Sequence, residues 1–486
     1  MKKFIVCVYV HLVLLFIIFS SSFAAQVSAV FNGNEVKRGL DENADKPNFI
    51  IILTDDMGYG DWNGGGNPTI YTPNLNKMAY EGMYMSQFYA GSPLCSPSRA
   101  SLLTGRNTIR TGVLGVFRPY SNQGLPEDEI TIAEALKPLG YKTGCIGKWH
   151  LGKTDSYHPL NHGFDYYYGL LDRELILRRN YDVIEDSVDR STLTKKYTEE
   201  AVNFIAENKD DPFFLYLPHT MPHVSIAASD DFVGTSKHGL YGDVIEELDW
   251  SVGRVLETLD YYGLSENTVV MFSSDNGPWV IKKQDGGSAG LLRGAKGDTW
   301  EGGMRVPTIF RWKGHLPEGK ISMSVGSFVD IFPTIMTLAG GITPDDRPMD
   351  GIDIAPVLKG ESDPVRTIYY YDLDHLNTVR HGKWKLHFRY YDHKNYNHQE
   401  GGFMLPWNWK NPAEPLLFDL EEDPSEKFNV ADKNPDVVSK LTLLAKQYEE
   451  EIDEYGENKD LIRWFKTIYL RNEAINMGRG LLEKYR

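Results

Sequence analysis

Asn48-Phe-Ile-Ile-Ile-Leu53-Thr-Asp55-Asp56 is the segment on which the reading of this chain turns. An unbroken apolar run rich in β-branched residues leaves no face for water, which predicts a strand covered on both sides within a parallel sheet. The run halts at two adjacent carboxylates. Thr268-Val-Val-Met-Phe-Ser-Ser-Asp275-Asn276-Gly277 repeats the pattern far downstream, with Gly277 expected to allow a tight turn. In open α/β sheets, ligands and metals collect outside the carboxyl ends of strands. Asp55 and Asp56 would repel each other unless a cation neutralised them. One such strand end taken alone reads more readily as a turn with an Asx cap. Two in one sheet set a hard-cation site with oxygen ligands Asp55, Asp56, Asp275 and Asn276 beside that reading.

Working outward, helical patterns cover 72–81, 131–139 and 197–208, and strand-like runs cover 142–146, 213–217 and 268–273. Alternating strand and helix predicts an α/β fold with a doubly wound, mostly parallel sheet. Beyond about Val365 the texture changes. Short strand candidates at 367–372, 377–380 and 384–388 predict a small antiparallel sheet, and 435–455 reads as one amphipathic helix. The expected organisation is a main domain over 46–360 and a smaller C-terminal subdomain over 361–486.

The chain has 486 residues, with 51 Lys+Arg against 67 Asp+Glu, for a net charge of −16. That balance argues against nucleic acid as a partner, since polyanion binders carry a basic surplus. Any positive charge needed for an anionic ligand must be concentrated inside a site. Lys2 and Lys3, an apolar run from Phe4 to Phe19 and small residues ending in Val27-Ser28-Ala29 read as a secretory signal over 1–29. A membrane anchor is the competing reading, but the run is short for a bilayer and contains His11. No later segment is long and apolar enough to span a membrane. With no Asn-x-Ser/Thr sequon in which x is other than Pro, a bacterial periplasmic or secreted protein is expected. Removal of the signal takes Cys7 with it and leaves Cys95 and Cys145, too few for a disulfide scaffold, although the two could pair.

Cys95-Ser-Pro-Ser-Arg99-Ala-Ser-Leu-Leu-Thr-Gly-Arg106 resembles the signature of the formylglycine-dependent (type I) sulfatases. The bland alternative is a free thiol before a Pro-capped helix. A helix starting near Ser98 would aim its N–H groups and positive end at an anion, with Arg99 on the first turn. The resemblance extends over nearly the whole mature chain. It implies that Cys95 is oxidised to an aldehyde by a formylglycine-generating enzyme, and that the hydrate is the nucleophile. One hydroxyl attacks and the second expels sulfate afterwards. It also implies an alkaline-phosphatase-like fold, a catalytic domain over 46–360, and one calcium ion held by Asp55, Asp56, Asp275, Asn276 and an oxygen of the modified Cys95.

Gly140-Tyr-Lys-Thr-Gly-Cys-Ile-Gly-Lys148-Trp-His150-Leu-Gly152 is similar to the second family signature. By that match Lys148 contacts the sulfate and His150 is the base on the formylglycine hydroxyl, while Cys145 is a packed core thiol. Pro212-Phe-Phe-Leu-Tyr-Leu-Pro-His219-Thr-Met-Pro-His223 is similar to the segment that carries a sulfate-binding histidine, with His223 favoured and His219 retained as the alternative. Ser225 stands where related members have proline, which bears on the loop's shape. Lys296, within a glycine-rich block from Gly286 to Arg305, matches the lysine placed between the metal and the scissile ester oxygen. The leaving alcohol would be protonated by His223 or Lys296.

Within the family the chain looks nearest to the arylsulfatase A and N-acetylgalactosamine-6-sulfatase branch. Residues 174–196 and 389–415 match nothing identifiable. Asp172 and Arg173 follow His162-Gly-Phe-Asp165, where relatives contact substrate, and are candidates for specificity. A sulfated saccharide suits an exported acidic protein with Tyr166-Tyr-Tyr168, Trp407 and Trp409 available to stack on sugars, although such aromatics also serve packing. A phosphatase or phosphodiesterase would share the fold but use two transition metals and a Ser or Thr nucleophile. A non-catalytic carbohydrate-binding relative would have lost several of these groups.

Overall fold

The computed structural model describes residues 46–391, 409–455 and 460–467. The expected signal over 1–29 and Trp407 lie outside the described residues. Among the described residues no helix is long and apolar enough to cross a membrane.

The large sheet is built from β1 (Asn48–Thr54), β2 (Met83–Tyr89), β3 (Lys142–Lys148), β4 (Tyr166–Leu170), β5 (Leu177–Arg179), β6 (Asp182–Glu185), β7 (Phe213–Pro218), β8 (Thr268–Ser274), β9 (Ile309–Arg311) and β10 (Lys320–Ser327). They lie in the order β10-β2-β9-β8-β1-β7-β3-β4-β5-β6. β1 pairs in parallel with β7 and β8, and the parallel block continues through β3 and β4. Only β9 and β5 run against their neighbours on both sides.

β1 explains why the sheet is wound on both faces. All its residues are buried, but alternate side chains enter different cores. Phe49, Ile51 and Leu53 pack with Ala100, Leu102, Leu103, Phe332 and Tyr448. Ile50 and Ile52 pack on the opposite face, with Leu75, Tyr197, Phe204, Val244 and Leu248. Each side chain of a strand points opposite to the one before it, so an all-apolar strand requires two cores. Helices Pro73–Tyr80, Leu193–Glu207 and Leu240–Tyr261 cover the second face.

Helix Cys95–Thr104 starts at Cys95, three residues before the expected position. Ser98 N–H already donates to Leu94 O at 3.1 Å, so Leu94 is the cap. Pro97 misleads because it looks like a helix opener. It sits within the first turn, where N–H groups have no intrahelical acceptor and proline costs nothing. Arg99 therefore lies on the second turn.

The C-terminal part contains β11 (Thr367–Asp372), β12 (His375–His381), β13 (Trp384–His387), a short pair β14 (Tyr390–Tyr391) and β15 (Trp409–Lys410), and β16 (Leu416–Asp419). β11-β12-β13-β16 form an antiparallel sheet, as the alternating short runs predict. Helix Pro435–Tyr455 sets Leu441, Ala445, Tyr448 and Ile452, spaced three or four apart, into the core shared with the large sheet. Tyr167 and Tyr168 are buried within β4, where their rings serve packing.

Candidate active site

β1, β8, β7 and β3 point the same way, so the residues that follow them gather at one edge of the sheet. Asp55 and Asp56 follow β1, Asp275 and Asn276 follow β8, His219 and His223 follow β7, and Lys148 ends β3 with His150 just beyond. Cys95, on the first turn of its helix, is fully buried at the same edge. Carboxylate oxygens of Asp55 and Asp275 lie with Cys95 Sγ inside a 4.8 Å group, and oxygens of Asp55 and Asp56 lie with a ring nitrogen of His223 in another.

Three carboxylates face three cations here. Arg99 donates to Asp275 Oδ2 from Nε at 2.9 Å and Nη2 at 2.8 Å, and its Nη1 donates to Lys148 O at 2.7 Å. Lys148 pairs with Asp55 Oδ2, and Lys296 with Asp56 Oδ1. Asn276 Nδ2 donates to Asp56 Oδ1 at 2.7 Å, and the Asp56 N–H donates to Asp275 Oδ1 at 3.2 Å. Burial would raise the Asp55 carboxyl, but Lys148, His223 and Arg99 hold it well below the usual range. Asp275 is pushed up to about 7 by burial and by the charge of Asp55. Asp56 and His150 adopt left-handed backbone, φ 73° and 58°, a conformation that such residues keep only where their surroundings impose it.

After these bonds are made, Asp55 Oδ1, Asp56 Oδ2, Asn276 Oδ1 and His223 Nε2 remain buried without a hydrogen-bond partner. Buried acceptors left bare cost on the order of 1–3 kcal/mol each, so their convergence marks a place for a ligand. Carboxylate and amide oxygens suit a hard divalent cation. The residues present therefore fit a metal ion at the strand ends.

The histidines divide clearly. His223 Nδ1 lies 2.6 Å from Val224 O, a pure acceptor, so the proton sits on Nδ1 and Nε2 is the bare nitrogen 3.8 Å from Asp56 Oδ2. Burial and Lys296 push its pKa down to about 3. His219 turns away, with Nε2 3.2 Å from Ser251 Oγ on helix Leu240–Tyr261. His150 Nε2 faces Phe117 O at 3.2 Å, which leaves Nδ1 unpartnered. Burial and the charge of Lys148 hold the ring neutral.

Lys148, His223, Asp172 and Arg173 line one cavity of about 310 Å³. Asp172 Oδ2 and Arg173 Nε are buried and unpartnered. Two further residues escaped the sequence. Arg190 donates to Ser225 O at 2.7 Å and His223 O at 2.8 Å, holding the loop where Ser225 departs from the expected proline. It belongs to the segment that matched nothing, and no local pattern marks it. Trp279 lies 5.4 Å from the His223 ring, with Lys296 Nζ 4.8 Å above its own ring. Its position just after the Asp275-Asn276 strand end was the available signal. Gly277 serves close approach where a tight turn was expected: an added Cβ would stand 1.9 Å from Gly302 O. Cys95 and Cys145 are unpaired thiols, and Cys145 is buried in β3, as expected of a core thiol.

A doubly wound sheet that gathers acids, cations and a helix-borne cysteine at its strand ends defines a hydrolase of alkaline-phosphatase-like fold. Residues 47–342 match the sulfatase family, and residues 363–470 match the C-terminal region of aryl-sulfatase. The chain belongs to the sulfatase family and is a sulfuric ester hydrolase. N-acetylgalactosamine-6-sulfatase of Canis lupus familiaris is 37% identical over 448 residues, covering 83% of this chain and 86% of the relative. An arylsulfatase of Hemicentrotus pulcherrimus is 38% identical, covering 79% of this chain and 77% of its own. The crystal structure of PsFucS1 sulfatase from Pseudoalteromonas sp. aligns with TM-score 0.78 over 85% of this chain and 92% of that one, at 27% identity. Ps i-CgsB in complex with k-i-k-neocarrahexaose aligns with TM-score 0.71, at 30% identity, over 83% of this chain and 92% of that one.

Proposed function

We propose that this sulfatase is exported to the periplasm or beyond and removes sulfate from a saccharide, using a formylglycine made from Cys95 and a calcium ion. The grouping of Cys95 Sγ with Asp55 and Asp275 at the strand ends carries the reading. Asp55, Asp56, Asp275 and Asn276 would hold the cation, together with an oxygen of the modified Cys95. The bound ion would polarise a sulfate oxygen, and the aldehyde hydrate supplied at Cys95 by a formylglycine-generating enzyme would provide the attacking hydroxyl. Residues 46–360 form the catalytic domain and 361–486 the C-terminal subdomain in this reading, with 1–29 removed as a signal.

The protein's own groups have separable tasks. Lys148 and Lys296 face the sulfuryl group and offset its charge, and the His223 ring stands beside Lys148 in the same cavity. His223 Nε2 carries no proton in its neutral ring, whereas Lys296 is held charged, against burial, by Asp56. Lys296 is therefore the proton donor to the leaving oxygen. His150, neutral with Nδ1 bare, takes the proton from the second hydroxyl when sulfate departs. Arg99 fixes Asp275 and the carbonyl of Lys148, keeping acid and cation in register. Asp172 and Arg173 both line the cavity, and a carboxylate acceptor beside a guanidinium donor suits sugar hydroxyls. Relatives named for N-acetylgalactosamine 6-sulfate and a neighbour bound to a neocarrahexaose support a sulfated saccharide.

The test is the mass of the tryptic peptide Met78–Arg99 from protein made in its natural host. An aldehyde at residue 95 is expected. A thiol in every copy would remove the proposed nucleophile.

A further inference from the structure

The Lys296 loop is gripped from the C-terminal sheet by charged groups that water does not reach. Glu301, five residues beyond Lys296, accepts from Lys385 Nζ at 2.9 Å and from Tyr89 Oη at 2.7 Å. The Glu301 N–H donates to Glu426 Oε2 at 2.7 Å. Glu426 Oε1 lies 3.1 Å from Lys385 Nζ and 2.7 Å from His387 Nε2. The side chains of Glu301, Lys385, Glu426 and His387 are all fully buried. Thr378 Oγ1 donates to Thr299 Oγ1 at 3.2 Å, three residues from Lys296. The Trp300 ring lies 4.2 Å from that of His387, and Arg293 Nη1 donates to Glu426 O at 2.8 Å. On its other side the loop is tied to the nucleophile's approach, where Gly297 N–H donates to Pro93 O at 2.8 Å.

A loop that needed only to be ordered could be packed with apolar side chains at lower cost, because burying charges is expensive unless each is paired. What directional bonds add is an exact position for the backbone that carries Lys296. We propose that Lys385, His387, Glu426 and Thr378 are positioning residues for Lys296, so that the C-terminal sheet sets the geometry at the leaving oxygen. This rests on the reading of Lys296 as the group beside the scissile ester oxygen.

The experiment compares kcat/KM on 4-nitrophenyl sulfate, a good leaving group, with phenyl sulfate, a poor one, for the matured enzyme and for Glu426→Gln, Thr378→Val and Lys296→Ala. The ratio between substrates does not depend on how much protein is folded, so simple destabilisation leaves it unmoved. Displacement of a catalytic group by about an ångström costs up to about a hundredfold. The phenyl sulfate rate is expected to fall about tenfold more than the 4-nitrophenyl sulfate rate in Glu426→Gln, less in Thr378→Val, and in the same direction as Lys296→Ala. An unchanged ratio in Glu426→Gln and Thr378→Val, with a changed one in Lys296→Ala, would overturn the positioning role alone. An unchanged ratio in Lys296→Ala would overturn the reading of Lys296 itself, leaving the sheet nothing to position.

Discussion

Arg99 and Asp275 are locked together through a single carboxylate oxygen, Oδ2, which takes hydrogen bonds from Nε at 2.9 Å and Nη2 at 2.8 Å. Neither side chain touches water. Asp275 Oδ1 is left to accept the Asp56 N–H, so the arginine determines how Asp275 presents its second oxygen to the site. Arg99→Ala would leave that carboxylate buried without its partner, at a cost of about 3–5 kcal/mol. Arg99→Lys keeps the charge but loses the fork. We expect Arg99→Ala to melt well below the parent and Arg99→Lys to melt close to it with most activity lost, checked by calorimetry beside turnover.

The bare oxygens of Asp55, Asp56 and Asn276 predict a cation that stabilises the fold. A ligand that binds only the folded state at a hundredfold its Kd adds about 2.7 kcal/mol. Chelation should lower the melting temperature, and calcium should restore it. Asp56→Asn should melt at the same temperature with and without calcium. A parent protein indifferent to chelator would remove the metal from the site.

His219 and His223 should separate in kinetics. His223→Gln removes the imidazole from beside Lys148 in the cavity and is expected to cost about a hundredfold or more in kcat/KM. His219→Gln disturbs a contact with Ser251 behind the sheet and should cost stability, with less than about threefold in kcat/KM. Equal losses in the two variants would contradict this division.

Acid stability should depend on Glu301. Burial opposes its ionisation, yet Lys385 and Arg380 hold its pKa down to about 2, below the usual range of a glutamate. A depressed carboxyl contributes its full stability above the unfolded pKa and loses it as pH falls toward the folded one. Between those values the unfolded chain takes up a proton that the folded chain refuses. The slope approaches about 1.4 kcal/mol per pH unit for this group. Urea titrations from pH 5 down toward 2 should show Glu301→Gln less stable at neutrality but less steep in acid.

Where one residue type could satisfy the physics, the sequence alone was decisive. A strand covered on both faces admits only apolar residues, so Phe49 to Leu53 and Val269 to Phe272 declared the sheet, and the polar residues that followed them declared its ligand edge. Cys95, Pro97 and Arg99 carried the family by identity and spacing. Pro97 also misplaced the helix start, because a proline inside the first turn and one that opens the helix look alike until the cap at Leu94 is seen. Tertiary structure decided what depends on neighbours distant in the chain. His219 and His223 follow the same strand; the family match favoured His223, and it is the fold that turns His219 away toward Ser251. Arg190 reaches the carbonyls of His223 and Ser225 from a segment without recognisable pattern. The charges of Lys385 and Glu426, which would read as surface residues in a linear sequence, are buried because Glu301 meets them there. Apolar periodicity is a local property, whereas the pairing of buried charges exists only once the chain has closed on itself.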